Sequence, residues 1–249
     1  MRRQSLLQYS HMSKSPTLQA VDARLRLLSN PEKAQILQRF FKTGPGEYGE
    51  GDVFLGIQVP ALRKCALEFD GLPMTAMQSM LNSPTHETRL LALLMLVRAY
   101  AKGDQDVKRR IYAFYLASTS RINNWDLVDL SAPSIIGDYL ATRSRAPLRR
   151  LARSASLWER RIAIVATLRF IRNNDFEDTL AVAGMLLGDQ EDLIHKAAGW
   201  MLREVGKRDT AALEGFLMQH CRSMPRTMLR YAIERFPEVR RLRYLRGVS

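Results

Sequence analysis

The chain has 249 residues, 46% of them hydrophobic, with 38 Lys and Arg against 25 Asp and Glu, a formal net charge of +13. That length and apolar fraction suffice for a large buried core, and the positive surplus favours a polyanionic partner such as nucleic acid. No uninterrupted apolar run reaches the ~18 residues of a membrane span, no signal-peptide pattern is present, and neither Cys65 and Cys221 nor the four histidines show disulfide-framework or metal-ligand spacing. A cytoplasmic or nucleoid protein without metal or other cofactor is expected, with no membrane association and no obligate protein partner, and therefore a monomer.

Residues 1–15 are polar and basic without periodicity and read as a disordered tail, leaving 16–249 as a single repeat domain. From Pro16 onward apolar residues recur three and four apart, and no alternating strand pattern of useful length competes. Helices are expected over 17–29 and 31–42. The connector Thr43 to Gly56 follows, irregular because it contains Gly44, Pro45, Gly46, Gly49, Gly51 and Gly56. Further helices are expected over 60–70, 73–82, 86–102, 104–118, 123–141, 145–154, 157–173, 175–187, 190–207, 209–222, 224–235 and 237–246. The fold class is all-α.

A longer period overlies the helical one. Arg89, Trp125, Arg161, Lys196 and Arg230 fall 36, 36, 35 and 34 residues apart, the spacing of helix-pair repeats. Stacked hairpins predict a right-handed solenoid whose second helices line a concave groove, made basic by the recurring Arg and Lys. The bland alternative for each basic residue is a solvated helix face.

Trp125 and Asp129 stand four apart in Asn-Trp-Asp-Leu-Val-Asp (124–129), hence on one helical face. An indole beside a carboxylate suits a cationic ligand. Trp158, at a helix start, reads as core, whereas Trp125 and Trp200 adjoin polar or basic positions. For Asp129 the competing explanation is an ion pair with Arg161, which is compatible with a catalytic role.

The chain resembles the AlkD-like DNA alkylation repair glycosylases, a family built of HEAT-like helical repeats, over roughly residues 17–245. The resemblance is carried by Phe-Leu-Gly-Ile-Gln-Val-Pro (54–60), Asn-Trp-Asp-Leu-Val-Asp (124–129) and Trp-Glu-Arg-Arg-Ile-Ala-Ile (158–164). His-Lys-Ala-Ala-Gly-Trp-Met-Leu-Arg-Glu-Val-Gly-Lys (195–207) and Met-Pro-Arg-Thr-Met-Leu-Arg-Tyr-Ala-Ile-Glu (224–234) continue it in order. It implies hydrolysis of the N-glycosidic bond of cationic N3- or N7-alkylated purines in double-stranded DNA. Asp129, Trp125, Trp200 and Arg161 would form the catalytic group, and Arg203, Lys207, Tyr48 and Gln58 would contact DNA. Val59 departs from the pattern, standing where a hydroxyl residue would be the better backbone contact.

Alkylation makes the base a cationic leaving group, so an anionic Asp129 would stabilise the oxocarbenium-like sugar and position water. No lysine of the matched cluster is placed for a Schiff base, which implies a monofunctional enzyme that leaves an abasic site. The C-terminal stretch from Arg222 carries eight arginines against Glu234 and Glu238, either a solvated cap or a second phosphate-binding patch. The alternative from another class is a non-catalytic helical-repeat module for nucleic acid or protein. RNA reading at one base per repeat would need regular polar pairs that are absent.

Overall fold

A computed structural model describes residues 16–247, so the reading of residues 1–15 as a disordered tail lies outside the described residues. The connector forms one isolated bridge, Val53 to Thr85, and among the described residues the remaining regular structure is helical. The helices are α1 (Leu18–Leu28), α2 (Pro31–Phe40), α3 (Val59–Glu68), α4 (Met74–Leu81), α5 (His86–Lys102), α6 (Gln105–Ala117), α7 (Trp125–Ala132) and α8 (Asp138–Leu140). They continue as α9 (Ala146–Ala152), α10 (Leu157–Ala166), α11 (Leu168–Ile171), α12 (Glu177–Met185), α13 (Asp192–Gly206), α14 (Thr210–His220), α15 (Arg226–Ala232) and α16 (Glu238–Leu245).

Local chemistry sets the starts. Asn30 accepts from the Lys33 amide at 2.9 Å with Pro31 at the first helical position, and Asp104 accepts from the amides of Asp106 and Val107. Asp209 caps α14 through the Ala212 amide at 3.0 Å. Ser156, with Glu159 three residues on, has the capping-box spacing at the start of α10.

Two helices expected to be continuous are interrupted. In the 123–141 segment, Pro133 has no N–H to donate to the carbonyl of Asp129 four residues back. The ladder widens there into a π-helical turn, Pro133–Gly137, before α8. The 157–173 segment breaks at Thr167, whose Oγ1 donates to the Ile164 carbonyl at 2.6 Å and competes with the helical ladder.

Packing is sequential. Helix α5 packs on α7, α7 on α10, α10 on α13 and α13 on α15, and the buried apolar residues form one cluster from Val21 to Tyr244. These five helices carry the positions of the 34-to-36-residue register. The register does not make a uniform basic stripe, however. Arg89 is 4% exposed and bound to Asp52, and Arg161 is 5% exposed and bound to Asp129, because each neutralises a carboxylate of the adjoining element.

Close approach of neighbouring helices depends on missing side chains. A Cβ at Gly137 would lie 2.3 Å from the Ala166 carbonyl oxygen, and one at Gly199 would lie 2.5 Å from that of Met228. The first contact seats the end of the α7 segment against α10, and the second seats α13 against α15. Gly137→Ala should therefore destabilise the fold by about 2–4 kcal/mol. Gly215→Ala, in mid-α14 with nothing within 4 Å of its added methyl, should stabilise it by about 0.5–1 kcal/mol. Urea denaturation of the two variants checks both signs.

Candidate active site

Asn124 begins α7 by accepting from the Trp125 amide at 2.8 Å, which leaves the Trp125 indole at the helix start and Asp129 one turn on. The Trp125 ring stacks on Phe41 at 5.2 Å between centroids and 14° between planes, and Phe40 meets it edge-on at 6.1 Å. The end of α2 thus fixes the indole from behind. This support was not read from the sequence, although a Phe-Phe pair at the end of an amphipathic helix next to a Gly-rich connector was a usable signal.

Arg161 Nε donates to Asp129 Oδ1 at 3.0 Å and Nη2 to Oδ2 at 2.9 Å, a bidentate pair across α7 and α10. Its remaining Nη1 donates to the Leu193 carbonyl at 2.6 Å, fixing the guanidinium at the start of α13. Burial pushes the Asp129 carboxyl above its ordinary value, Arg161 pulls it down, and Asp126 three residues away pushes it further up.

Trp125, Asp129, Arg161, Trp200, Tyr48 and Arg203 line one cleft of about 660 Å³, so six of the eight expected residues converge. Gln58 lines a neighbouring apolar cavity of about 550 Å³ that shares Trp125, Asp129 and Phe40 with the cleft. Lys207 lines neither. It pairs with Glu204 at 2.6 Å, and the same carboxylate accepts from the Trp200 indole N–H at 3.1 Å. Arg203 is paired with Glu234. Val59 opens α3 directly after Gln58, which caps that helix without a side-chain hydrogen bond. Trp158, expected in the core, is half-buried and packs against the core's edge as Trp200 does, with Tyr48 edge-on at 6.1 Å.

Further cleft residues are Phe40, Lys42, Glu191, Asp192, Lys196 and Tyr231. Two of them are lysines, Lys42 and Lys196, and the second lies in the matched segment 195–207. Lys196 pairs with Asp192 at 2.7 Å, a bond that raises its pKa, and Lys42 is an exposed residue between α2 and the connector. Lys196 stands in the 34-to-36-residue register, whereas Lys42 was not singled out because it follows the end of α2 at a φ of 52°, where no period continues. The cleft is also close to charge-balanced, since Asp129, Asp192 and Glu234 offset Arg161, Lys196 and Arg203.

Behind Trp125 lies a buried polar cluster. His86 Nδ1 is 3.1 Å from Asp52 Oδ2 and Nε2 is 2.8 Å from Asp126 Oδ2. Arg89 donates to Asp52 Oδ1 at 2.7 Å. A neutral imidazole has one N–H, so satisfying both carboxylates requires the imidazolium. Burial opposes that charge, but the hydrogen bonds to Asp126 and Asp52 prevail and raise the His86 pKa to about 9. Next to it, Glu87 accepts from the amides of Leu55, Gly56 and Ile57 at 2.8–3.1 Å, gripping the end of the connector.

The family of DNA alkylation repair enzymes matches residues 21–236 of this sequence. The chain belongs to that family. Among solved structures, one described as a predicted DNA alkylation repair enzyme from Enterococcus faecalis shares the fold with a TM-score of 0.64. It is 17% identical, and the alignment covers 84% of this chain and 97% of that one. No curated protein matches the chain significantly. Membership places the protein among enzymes of alkylated-DNA repair. No helix among the described residues is long and apolar enough to cross a membrane.

Because the folded His86 pKa stands above its unfolded value near 6.5, its contribution is fully present below pH 6.5 and is lost as pH rises through 9. Stability should fall over that window by on the order of 3 kcal/mol, and His86→Gln should flatten the fall. Urea titrations at successive pH values measure it.

Proposed function

We propose that the protein is a monofunctional DNA glycosylase that hydrolyses the N-glycosidic bond of cationic N3- or N7-alkylated purines in double-stranded DNA, leaving an abasic site. One observation carries the reading: a guanidinium-anchored carboxylate, Asp129, lines the same cleft as two indoles, Trp125 and Trp200. The proposal extends to the architecture. The sequential packing of α5, α7, α10, α13 and α15 is compatible with stacked helical hairpins, which we read as a right-handed solenoid of HEAT-like repeats with these helices facing the DNA.

In this reading each group has a physical task. The alkylated base already carries positive charge, so it needs little protonation to leave, and the work falls on the sugar, which gains oxocarbenium character. Asp129 supplies the opposing charge. A carboxylate has about four lone-pair sites, and Arg161 occupies two of them, so acceptor capacity remains for the attacking water. Indole faces contribute on the order of 0.5–2 kcal/mol each toward a cation, less than a desolvated carboxylate can give a developing positive charge.

Near-neutrality of the cleft fits a cationic base better than a basic groove would. Most phosphate attraction then comes from outside it. Of the eight arginines from Arg222 onward, only Arg240 has a carboxylate partner among the described residues, Glu214 at 3.4 Å. Such unpaired arginines suit phosphate contacts. Tyr48 and Gln58 would act on the lesion strand from the connector side, and Arg203 and Lys207 on the backbone near Trp200. Lys196 is held as an ammonium by Asp192 and Lys42 is solvated, so neither is set up as a Schiff-base nucleophile. The enzyme would act as a monomer in the cytoplasm, without a cofactor.

The second reading, a non-catalytic helical-repeat module that binds nucleic acid or protein, draws on the closed Asp129–Arg161 pair. Base release from duplex DNA containing 7-methylguanine separates the two. Wild-type protein should release free base, and Asp129→Asn should slow release by on the order of 10²-fold with DNA binding retained. Undiminished release by the variant would remove Asp129 from the chemistry; salt-sensitive binding without release by the wild type would favour the module. Borohydride should trap no covalent protein–DNA adduct, and a trapped adduct would reassign Lys42 or Lys196.

A further inference from the structure

The buried charges around Trp125 come from four elements. The connector gives Asp52, α5 gives His86, Glu87 and Arg89, α7 gives Asp126 and Asp129, and α10 gives Arg161. Glu87 takes its compensation from three backbone amides. Three carboxylates then remain, Asp52, Asp126 and Asp129, against two guanidiniums, each committed to one acid: Arg89 to Asp52 and Arg161 to Asp129. Asp126 has no guanidinium. Its Oδ1 accepts from the Leu127 amide at 2.8 Å and its Oδ2 faces His86 Nε2 at 2.8 Å.

Asp126 and Asp129 stand three apart on one helix, and His86, Asp126 and Asp129 line the same apolar cavity. Like charges one turn apart in such a setting oppose each other's ionisation. An uncompensated Asp126 anion would therefore favour the protonated form of Asp129, the form that cannot stabilise a cationic sugar. We propose that His86 is a positioning residue whose proton neutralises Asp126 and thereby keeps Asp129 ionised in the cleft. The role of Asp129 rests on the glycosylase reading; the charge coupling does not.

The other groups around His86 support its charged state. Asp52 occupies its second nitrogen from the connector, Asn124 Nδ2 donates to that same Asp52 oxygen at 3.4 Å, and Phe41 and Phe54 pack on the ring at 5.0 and 4.5 Å. Tyr48, raised above its ordinary pKa chiefly by burial, remains a neutral phenol and brings no competing charge. The imidazole is thus enclosed by two carboxylates and two aromatic rings. Its nearest like charge, Arg89, is already bound to Asp52.

Titration of the whole protein tests the coupling directly. In protein labelled with 15N-histidine, His86, assigned by its loss in His86→Gln, should remain an imidazolium beyond pH 8. In protein labelled with 13C at the aspartate carboxyl, the Asp129 midpoint should rise by about one to two pH units in His86→Gln. It should return toward the wild-type value in the double variant His86→Gln with Asp126→Asn. Asp126→Asn alone should move it downward. A purely structural role for His86 would leave the double variant no closer to wild type than the single one.

An Asp129 midpoint unmoved in folded His86→Gln, or a His86 that titrates near its ordinary value of 6.5, overturns the proposal. Should His86→Gln fail to fold, Asp126→Asn decides alone, and an unchanged or raised midpoint overturns it. The acid limb of single-turnover release of 7-methylguanine should follow the same midpoints across the variants, and a limb that ignores them removes the catalytic half of the claim. Absence of release from wild type, with the carboxyl titrations as expected, would refute the glycosylase reading and leave the coupling standing.

Discussion

The bidentate bond between Arg161 and Asp129 is the contact on which the candidate site is organised. It joins α7 to α10 and, through the Leu193 carbonyl, to the start of α13, so one guanidinium fixes the relative placement of three successive helices. Breaking a buried pair by removing one partner typically costs about 3–5 kcal/mol, because the other charge is left stranded. The pair is affordable only because α7 and α10 lie close, and they lie close because Gly137 presents no Cβ to the Ala166 carbonyl. Trp125 and Trp200 then line the same cleft as a carboxylate held by two hydrogen bonds.

Aromatic and ionic support reach α7 from different elements. On the cleft side Arg161 anchors Asp129. At the end of α2 Phe41 stacks on Trp125, and Phe54 and His86 extend the stack toward the connector. A chain that is strongly basic overall thus builds a site whose interior charges nearly cancel. Positive surplus concentrates elsewhere, above all in the C-terminal arginines, where solvent rather than carboxylate faces most of them.

Helix positions and the convergence of Trp125, Asp129, Arg161 and Trp200 were legible in the sequence because both depend on period. A 3.6-residue pattern places a side chain on a face, and a 34-to-36-residue register places faces on neighbouring helices. Where period is broken, legibility fails. Lys42 and the Phe40–Phe41 pair approach the cleft through an irregular turn, and the π-helical turn after Asp129 follows from a proline whose neighbours otherwise read as continuous helix. The register also misled in one respect, since a recurring arginine marks equally well a solvated face or a buried counter-ion. Arg89 and Arg161 proved to be counter-ions because Asp52 and Asp129 lie across the interface, which a single sequence does not announce.

Glu87 grips the amides of three consecutive residues, Leu55 to Ile57, while Gly56 at φ +80° sits where a Cβ would strike the Asn30 carbonyl oxygen at 2.2 Å. Within the connector this divides freedom unequally. Nothing lies within 4 Å of a Cβ at Gly46 or Gly51, so the tip has room for a longer or bulkier loop. From Asp52 to Ile57 the same change would slide the backbone past a fixed carboxylate and unseat every hydrogen bond at once. The tip is therefore where the connector can change in length while the wall behind Trp125 stays as it is.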